Sequence, residues 1–180
     1  MDLKELKKVI PYKWKVQTCN DYGFTAVAYI DARDLMDLLD DVVGPENWQT
    51  NYSEHKGNLY CKLGIRINGS WVWKEDCGTE SFADKEKGEA SDALKRAGVQ
   101  WGIGRFLYSL PIVKMGKEYV SKGNNGKNQP YSPKTGRFLS KDQITELCNA
   151  KIKAWIVDKI PEYLKKDFKI TSIEILWITN

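Results

Sequence analysis

The dipeptide Asn68-Gly69 is the feature that most constrains how this chain can fold. The residues before it alternate between apolar and polar from Leu59 to Ile67, and the run SWVWKEDC follows it directly. An Asn-Gly pair between two such runs predicts a two-residue hairpin turn, because both residues readily adopt the positive φ angles that this turn requires. The chain is therefore expected to contain an antiparallel sheet.

A two-residue turn also determines which side chains face one another across this hairpin. On one face of the sheet it predicts three cross-strand pairs, namely Arg66 with Trp71, Gly64 with Trp73, and Lys62 with Glu75. They are a cation–aromatic pair, a glycine covered by an indole and a pair of opposite charges, all of which favour this register. The two tryptophans are interpreted as core or subunit-interface residues, and a base-stacking platform is the alternative.

Helices and strands follow one another along the rest of the chain, which predicts an α+β fold of antiparallel hairpins backed by helices. Asp31 is a good N-cap for the amphipathic helix ARDLMDLLDDVV, and Gly44-Pro45 ends that helix. Ser140 and Gln143 form a capping box at the start of a final helix. The other predicted elements are a short helix at residues 2–9, the strands YKWKVQTC, FTAVAYI and NWQTNYS, and a last strand, KITSIEILWI.

A long helix is predicted from about Asp84 to about Leu110, where Pro111 ends it. One stripe of this helix is mostly apolar and is expected to pack on the sheet; its members are Ala90, Leu94, Ala97, Trp101, Gly104 and Tyr108. A neighbouring stripe is small and cationic; its members are Ser91, Lys95, Gly98, Gly102 and Arg105. The polar segment Ser121–Arg137 that follows the helix is rich in Gly, Asn and Pro and is predicted to be a surface loop.

The cationic stripe suggests a contact with nucleic acid. Lys95 and Arg105 are expected to lie about 15 Å apart along the helix axis, which matches a few nucleotides of an extended single strand. Gly98 and Gly102 lie between them. Glycine at these positions allows close packing of another helix, and it also allows a ligand backbone to approach, so both interpretations stay open here.

The composition argues against some kinds of site and location, but it does not by itself indicate a function. The net charge of +4 gives weak support for a polyanionic partner, so the positions of the charges must decide. The four cysteines form no C-x-x-C pair and His55 is the single histidine, so we expect reduced thiols and no metal site. The apolar runs are too short to span a bilayer and the N-terminus lacks the apolar stretch of a secretory signal, so a cytoplasmic location is expected.

Three segments, in this order, resemble the Rad52-type single-strand annealing proteins, particularly their bacteriophage members. KWKVQT is similar to the strand that opens the family's core, AYIDARDLMDLLDDVVGPENWQ to its strand–helix block, and SDALKRAGVQWGIGRFLY to its signature helix. The resemblance covers roughly Tyr12 to Tyr119, and it implies a core domain at residues 1–120 in which a curved antiparallel sheet packs on a long central helix. Residues 121–180 are expected to add a loop, a helix and a strand that complete the fold or a subunit contact.

The resemblance also assigns contacts with DNA to named residues. Lys95 and Arg96 match the basic pair with which the family grips phosphate. Lys15 lies near the position of a usual arginine, and Tyr29 lies where an aromatic residue is beside the DNA. Lys117, within GKEYV, resembles a lysine of a second DNA path.

The chain departs from the family at one basic position. Val99 stands where eukaryotic members carry a further basic residue one turn after the pair, and Arg105 is expected to replace that charge from the next turn. Lys85 and Lys87, near the start of the helix, are additional candidates for DNA contact.

The resemblance implies a function as well as a fold. Proteins of this kind assemble into rings, hold single-stranded DNA by its backbone in a basic groove and anneal complementary strands without ATP. A homo-oligomeric recombination and repair protein is therefore expected, with no enzymatic activity, no catalytic residue and no cofactor. Its expected partner is single-stranded DNA, in the host cytoplasm if the chain is phage-encoded, and a host or phage single-strand-binding protein is a further candidate partner.

Two other functions remain alternatives at this stage. Asp41 followed by Glu54 and Lys56 resembles the acidic-residue-then-E-x-K pattern of metal-dependent nucleases, in which carboxylates hold Mg²⁺. The predicted α-β-β-β-α order from Asp31 to Leu110 is also compatible with a double-stranded RNA-binding module.

Overall fold

The computed structural model describes residues 2–79 and 85–159, which form an α+β fold. The chain divides into two compact units: unit 1 comprises Met1–Pro11 and Ile30–Ser109, and unit 2 comprises Tyr12–Tyr29 and Leu110–Asn180.

The helices are α1 (Ala32–Val43), α2 (Lys85–Trp101) and α3 (Lys141–Lys159). The strands are β1 (Lys13–Asn20), β2 (Gly23–Tyr29), β3 (Trp48–His55), β4 (Asn58–Ile67), β5 (Ser70–Cys77), β6 (Val113–Gly116), β7 (Val120–Lys122), β8 (Asn128–Ser132) and β9 (Arg137–Phe138). Short 3-10 helices lie at Leu3–Lys7, Pro45–Asn47, Arg105–Ser109 and Lys117–Tyr119. None of the helices in the described part is long and apolar enough to cross a membrane.

The hairpin predicted at Asn68-Gly69 is confirmed in unit 1. Strands β3, β4 and β5 form an antiparallel sheet in that order, and both turn residues have positive φ angles, of 50° and 83°. The register confirms the three predicted pairs, Arg66 with Trp71, Gly64 with Trp73, and Lys62 with Glu75.

Helix α2 packs on one face of this sheet and completes the core of unit 1. Its buried residues Leu94, Ala97 and Trp101 belong to the predicted apolar stripe, and they cover the face of β4 that carries Leu63 and Ile65. Tyr108, which was expected to extend the stripe, is 75% exposed. It cannot belong to the stripe because α2 ends before it is reached.

The prediction of one continuous helix to Leu110 is wrong, because α2 ends at Trp101. Gly102 has a φ angle of 101°, and its N–H donates to the Val99 carbonyl at 3.0 Å while the Ile103 N–H donates to the Gly98 carbonyl at 3.1 Å. These two hydrogen bonds define a Schellman C-cap, in which glycine is favoured because a Cβ atom strains this conformation. A short 3-10 helix, Arg105–Ser109, follows.

Gly98 has a packing role. A Cβ atom at this position would lie 2.3 Å from Cδ1 of Leu35, a fully buried residue of α1. The glycine therefore lets α1 approach α2 closely. The packing interpretation accounts for Gly98, and helix termination accounts for Gly102, without a ligand.

Unit 2 contains a second antiparallel sheet, with the strand order β1-β2-β6. Its buried face and α3 form one apolar cluster, whose buried members are Trp14, Phe24, Ala26, Val113, Met115, Ile144, Cys148 and Ile152. The Trp14 indole Nε1–H donates to Oδ1 of Asn149 at 2.8 Å, which fixes α3 against β1. The predicted capping box of α3 is confirmed, since the Ser140 N–H donates to Gln143 Oε1 and the Gln143 N–H donates to Ser140 Oγ.

The prediction of a surface loop at Ser121–Arg137 is wrong. The segment contributes to a small antiparallel sheet, β7-β8-β9, whose turns contain Gly126 and Gly136 at positive φ angles. These short strands are stabilised by tight turns and backbone hydrogen bonds and have no buried face. Their sequence therefore lacks the apolar alternation by which a strand with a buried face is recognised. The predicted last strand, KITSIEILWI, lies outside the described residues.

Substituting Gly98 by alanine tests the contact between α1 and α2. Gly98→Ala is expected to lower the free energy of unfolding by about 1–3 kcal/mol, because the added methyl group overpacks the space occupied by Leu35. In a Leu35→Ala background the same substitution is expected to raise it by up to about 1 kcal/mol, since alanine favours a helix over glycine. Urea denaturation of the four proteins measures both changes, and a destabilisation that persists without Leu35 would contradict the packing role.

Candidate nucleic-acid interface

The residues predicted to contact DNA divide between the two units. Lys15, Tyr29 and Lys117 belong to unit 2, whereas Lys85, Lys87, Lys95, Arg96 and Arg105 belong to unit 1.

In unit 2, Lys15 and Tyr29 lie together on the face of the β1-β2-β6 sheet that α3 does not cover. Lys15 is exposed, and its Nζ atom lies 5.7 Å from the centroid of the Tyr29 ring. This is a cation–π distance, so the two side chains present one ammonium group beside one aromatic ring.

Two further lysines share this face and were missed in the sequence. Lys13 pairs with Tyr29 across β1 and β2, and Lys114 of β6 pairs with Thr25 of β2. Residues directly opposite one another in a sheet lie on the same face, and both lysines are exposed. The alternation in KWK and VKM indicates an outward lysine, but only the register of β6 beside β2 brings Lys114 to this face. We call the surface formed by Lys13, Lys15, Tyr29 and Lys114 the lysine face.

The charged side chains on the strands of the lysine face are all lysines. None of its three strands contains an Asp or Glu residue. Lys114 makes no hydrogen bond or ion pair with any residue that the structure describes. Ammonium groups attract phosphate, and their flexible stems adapt to an irregular backbone. Lys117 is exposed in the 3-10 helix that directly follows β6.

In unit 1, Lys95 of α2 is available to a ligand. It is half-buried, and it forms no hydrogen bond or ion pair with the residues described. It follows Leu94, which is buried against the sheet, and it therefore lies at the edge of the packed face of the helix.

Arg96, the neighbour of Lys95, is bound to a carboxylate of the sheet. Its Nε and Nη2 atoms donate to Oδ1 of Asp76 at 3.3 and 3.2 Å, and Gln100 Nε2 donates to the other oxygen, Oδ2, at 3.3 Å. Partial burial lowers the pKa of the Arg96 guanidinium, but Asp76 raises it, and the net pKa lies above the usual value. The pair is partly exposed, with 45% of the Arg96 side chain accessible, so water and salt weaken it and a phosphate can compete with Asp76.

Arg105 stabilises the C-terminal end of α2. Its Nε and Nη2 atoms donate to the carbonyls of Val99 and Gln100 at 2.8 and 3.0 Å, and Lys74 Nζ donates to the same Gln100 carbonyl at 2.8 Å. These are among the last carbonyls of α2, which have no partner within the helix, and cations at this end also complement the helix dipole. Because α2 ends at Trp101, Arg105 does not continue a stripe from Lys95, and that part of the prediction is wrong.

The other predicted residues are Lys85 and Lys87, together with the carboxylates of the alternative metal site. Lys85 and Lys87 belong to the first turn of α2, and their contact with DNA stays a prediction. Within the described residues, no group of three or more Asp, Glu, His or Cys side chains is arranged to hold a metal ion. Asp41 lies on α1 and Glu54 near the end of β3, as parts of two different elements.

The tryptophans of the hairpin are not core residues. Trp71 and Trp73 are 37% and 41% exposed on the sheet face opposite α2. Of the predicted roles, a subunit interface and a base-stacking platform are compatible with this exposure.

Comparison with known proteins identifies relatives of this chain. Residues 3–125 match the family model described as Rad52/22 family double-strand break repair protein. The chain is 39% identical over 109 residues to a protein of Deinococcus deserti named single-stranded DNA-binding protein DdrA, covering 59% of the chain and 51% of the relative. It is 34% identical over 128 residues to the protein of the same name from Deinococcus radiodurans, covering 69% of the chain and 60% of the relative. The chain thus spans between half and two thirds of the length of these relatives, and no solved structure matches it significantly.

Stability measurements distinguish a cation that the fold uses from one that it leaves available. Arg105→Ala is expected to lower the free energy of unfolding by about 1 kcal/mol, because the last carbonyls of α2 lose charge-assisted hydrogen bonds. Lys95→Ala is the matched control and is expected to change it by less than about 0.5 kcal/mol. Urea denaturation measures both values, and equal effects of the two substitutions would contradict the assignment.

Proposed function

The chain belongs to the Rad52/22 family of double-strand break repair proteins, and from this premise we propose that it binds single-stranded DNA through its phosphates and anneals complementary strands. The lysine face of unit 2 is the observation that carries the proposal. It combines three lysines and an aromatic ring on strands that contain no carboxylate. The names of the two Deinococcus relatives support the same ligand.

Binding by phosphate suits annealing for a physical reason. Lysine and arginine contacts with phosphate hold a strand without reading its sequence. The Watson–Crick edges of the bases then stay available to a complementary strand. Annealing makes and breaks no covalent bond, so the proposed activity requires neither a catalytic residue nor ATP.

Helix α2 supplies a second part of the proposed interface. Lys95 has no competing partner among the described residues, and Arg96 can exchange Asp76 for a phosphate oxygen. In the proposed activity the two residues act as a pair, in which Lys95 provides a ready charge and Arg96 provides a planar donor group.

We also propose that copies of the chain assemble into a ring, so that their DNA-binding surfaces form one continuous path. The resemblance to annealing proteins supports this assembly. Electron microscopy of the pure protein, with and without single-stranded DNA, tests it.

Binding measured as a function of salt tests the proposed function. The affinity for mixed-sequence single-stranded oligonucleotides is expected to be independent of sequence and to fall steeply with salt.

Lys95→Ala with Arg96→Ala is expected to abolish annealing in a folded protein. Lys13→Ala with Lys114→Ala is expected to reduce the log–log salt slope by roughly 0.7 for each phosphate that the variant no longer binds.

A matched control removes the same charge from another surface. Lys151 and Lys153 are exposed lysines of α3, which packs on the opposite side of the β1-β2-β6 sheet from the lysine face. Lys151→Ala with Lys153→Ala is expected to leave both affinity and salt slope close to those of the wild type. Wild-type annealing by the folded Lys95/Arg96 variant, or tighter binding of duplex RNA than of single-stranded DNA, would contradict the proposal.

The ion pair between Arg96 and Asp76 predicts a substitution that strengthens DNA binding, whereas the substitutions of lysine and arginine weaken it. Asp76→Asn is expected to strengthen binding of single-stranded DNA by up to about fivefold, because Arg96 no longer has to give up a carboxylate. Asp41→Asn, an equal change of charge at an exposed position of α1, is the control and is expected to have a smaller effect. Fluorescence anisotropy measures both affinities, and weaker binding by Asp76→Asn would mean that Asp76 orients Arg96 for the phosphate and does not compete with it.

A further inference from the structure

Two exposed indoles lie side by side on the outward face of the β3-β4-β5 sheet. The ring centroids of Trp71 and Trp73 are 5.9 Å apart, and the ring planes are inclined by 32°. Tryptophan is highly buried on average, and these two side chains nevertheless leave 37% and 41% of their large surface exposed. The pair forms an aromatic surface that the core of unit 1 does not use.

The backbone beneath Trp73 explains how this ring is held. A Cβ atom added to Gly64 would lie 2.7 Å from both Cε3 and Cζ3 and 3.0 Å from Cδ2 of the Trp73 ring. Three ring atoms at nearly equal distances mean that the six-membered ring lies over Gly64. One face of the indole therefore rests on β4, and the exposed part of the ring faces outward.

Polar groups surround the two indoles. Trp73 lines an open cleft of about 420 Å³ together with Asn51, Lys62 and Glu75. Lys62 and Glu75 form an ion pair at 3.3 Å, and Arg66 pairs with Trp71 in the register of the hairpin. A flat aromatic surface beside an amide, a carboxylate and two cations matches a nucleotide, which has a flat base, polar base edges and a charged phosphate.

We propose that the outward face formed by Trp71, Trp73, Asn51, Lys62 and Arg66, here called the tryptophan face, stacks the bases of single-stranded DNA. This inference rests on the proposed function and adds to it a second mode of contact. The lysine face binds phosphates, and the tryptophan face binds bases. Stacking uses the π face that every base has, so it leaves the interaction independent of sequence.

Charge favours DNA over a second copy of the chain as the occupant. The core of a protein–protein interface is depleted in charged residues. Around the two indoles the exposed neighbours are polar or charged, namely Gln49, Asn51, Lys62, Arg66 and Glu75. Arg66 has no hydrogen bond or ion pair with the described residues, so its charge is available to a phosphate beside a stacked base.

An oligonucleotide without bases separates stacking from phosphate binding. The full chain is titrated with a mixed-sequence single strand and with an abasic strand of the same length. Trp71→Ala with Trp73→Ala is expected to weaken binding of the base-bearing strand about tenfold or more, and to change binding of the abasic strand by less than about twofold. Trp71→Phe with Trp73→Phe keeps two aromatic rings and is expected to retain most of the affinity.

The control is a tryptophan of similar exposure elsewhere. Trp155 of α3 is 47% exposed, and Trp155→Ala is expected to bind both strands as the wild type does. Equal weakening on both strands, or a changed oligomeric mass of the alanine variant in sedimentation, would overturn the inference and indicate an interface between copies. A wild type that binds neither strand would overturn the proposed function itself, whereas unchanged binding by the alanine variant would overturn this inference alone.

Discussion

The contact between α2 and the β3-β4-β5 sheet is the constraint on which unit 1 depends. At its centre the Trp101 indole N–H, buried between helix and sheet, donates to the Leu63 carbonyl at 3.1 Å. A buried N–H without a partner is costly, so this hydrogen bond fixes the position of the helix along β4. Lys74 stabilises the same end, since its Nζ atom lies 4.5 Å from the centroid of the Trp101 ring. With α2 held in this position, Arg96 reaches Asp76 and Lys95 stays at the edge of the packed face.

Residues of the same charge serve different purposes because their surroundings differ. Arg105 binds carbonyls at the end of α2 and stabilises the fold, whereas Arg96 forms a partly exposed ion pair with Asp76. Lys95 and Lys114 have no partner among the described residues. In the proposed function, an anionic strand binds Lys95 and Lys114 directly and replaces Asp76 at Arg96, whereas Arg105 is needed to cap the helix. The number of basic residues in a sequence is therefore a poor measure of a binding surface.

The sequence predicted local features well where a single physical rule was sufficient. The Asn68-Gly69 turn determined the register of β4 and β5 because side chains in a strand alternate with a period of two. Prediction failed where a residue had two compatible roles. Gly102 fits a helix interior with a small loss of stability, and it also fits a C-cap, and only the hydrogen bonds of Gly102 and Ile103 identify the second role. The strands β7, β8 and β9 have no buried alternating face, so the sequence contains no periodic signal for them.

The sequence by itself determined the α+β class, the hairpin and its register, the capped starts of α1 and α3, and the resemblance to annealing proteins. These features depend on residues that are neighbours in the chain or are joined by a tight turn. Only the tertiary structure decided that Lys114 joins Lys13 and Lys15, and that Asp76 binds Arg96. The packing of Gly98 against Leu35 was decided in the same way. Such pairings join residues far apart in the chain, and they follow from the packing of whole elements, which no local pattern encodes.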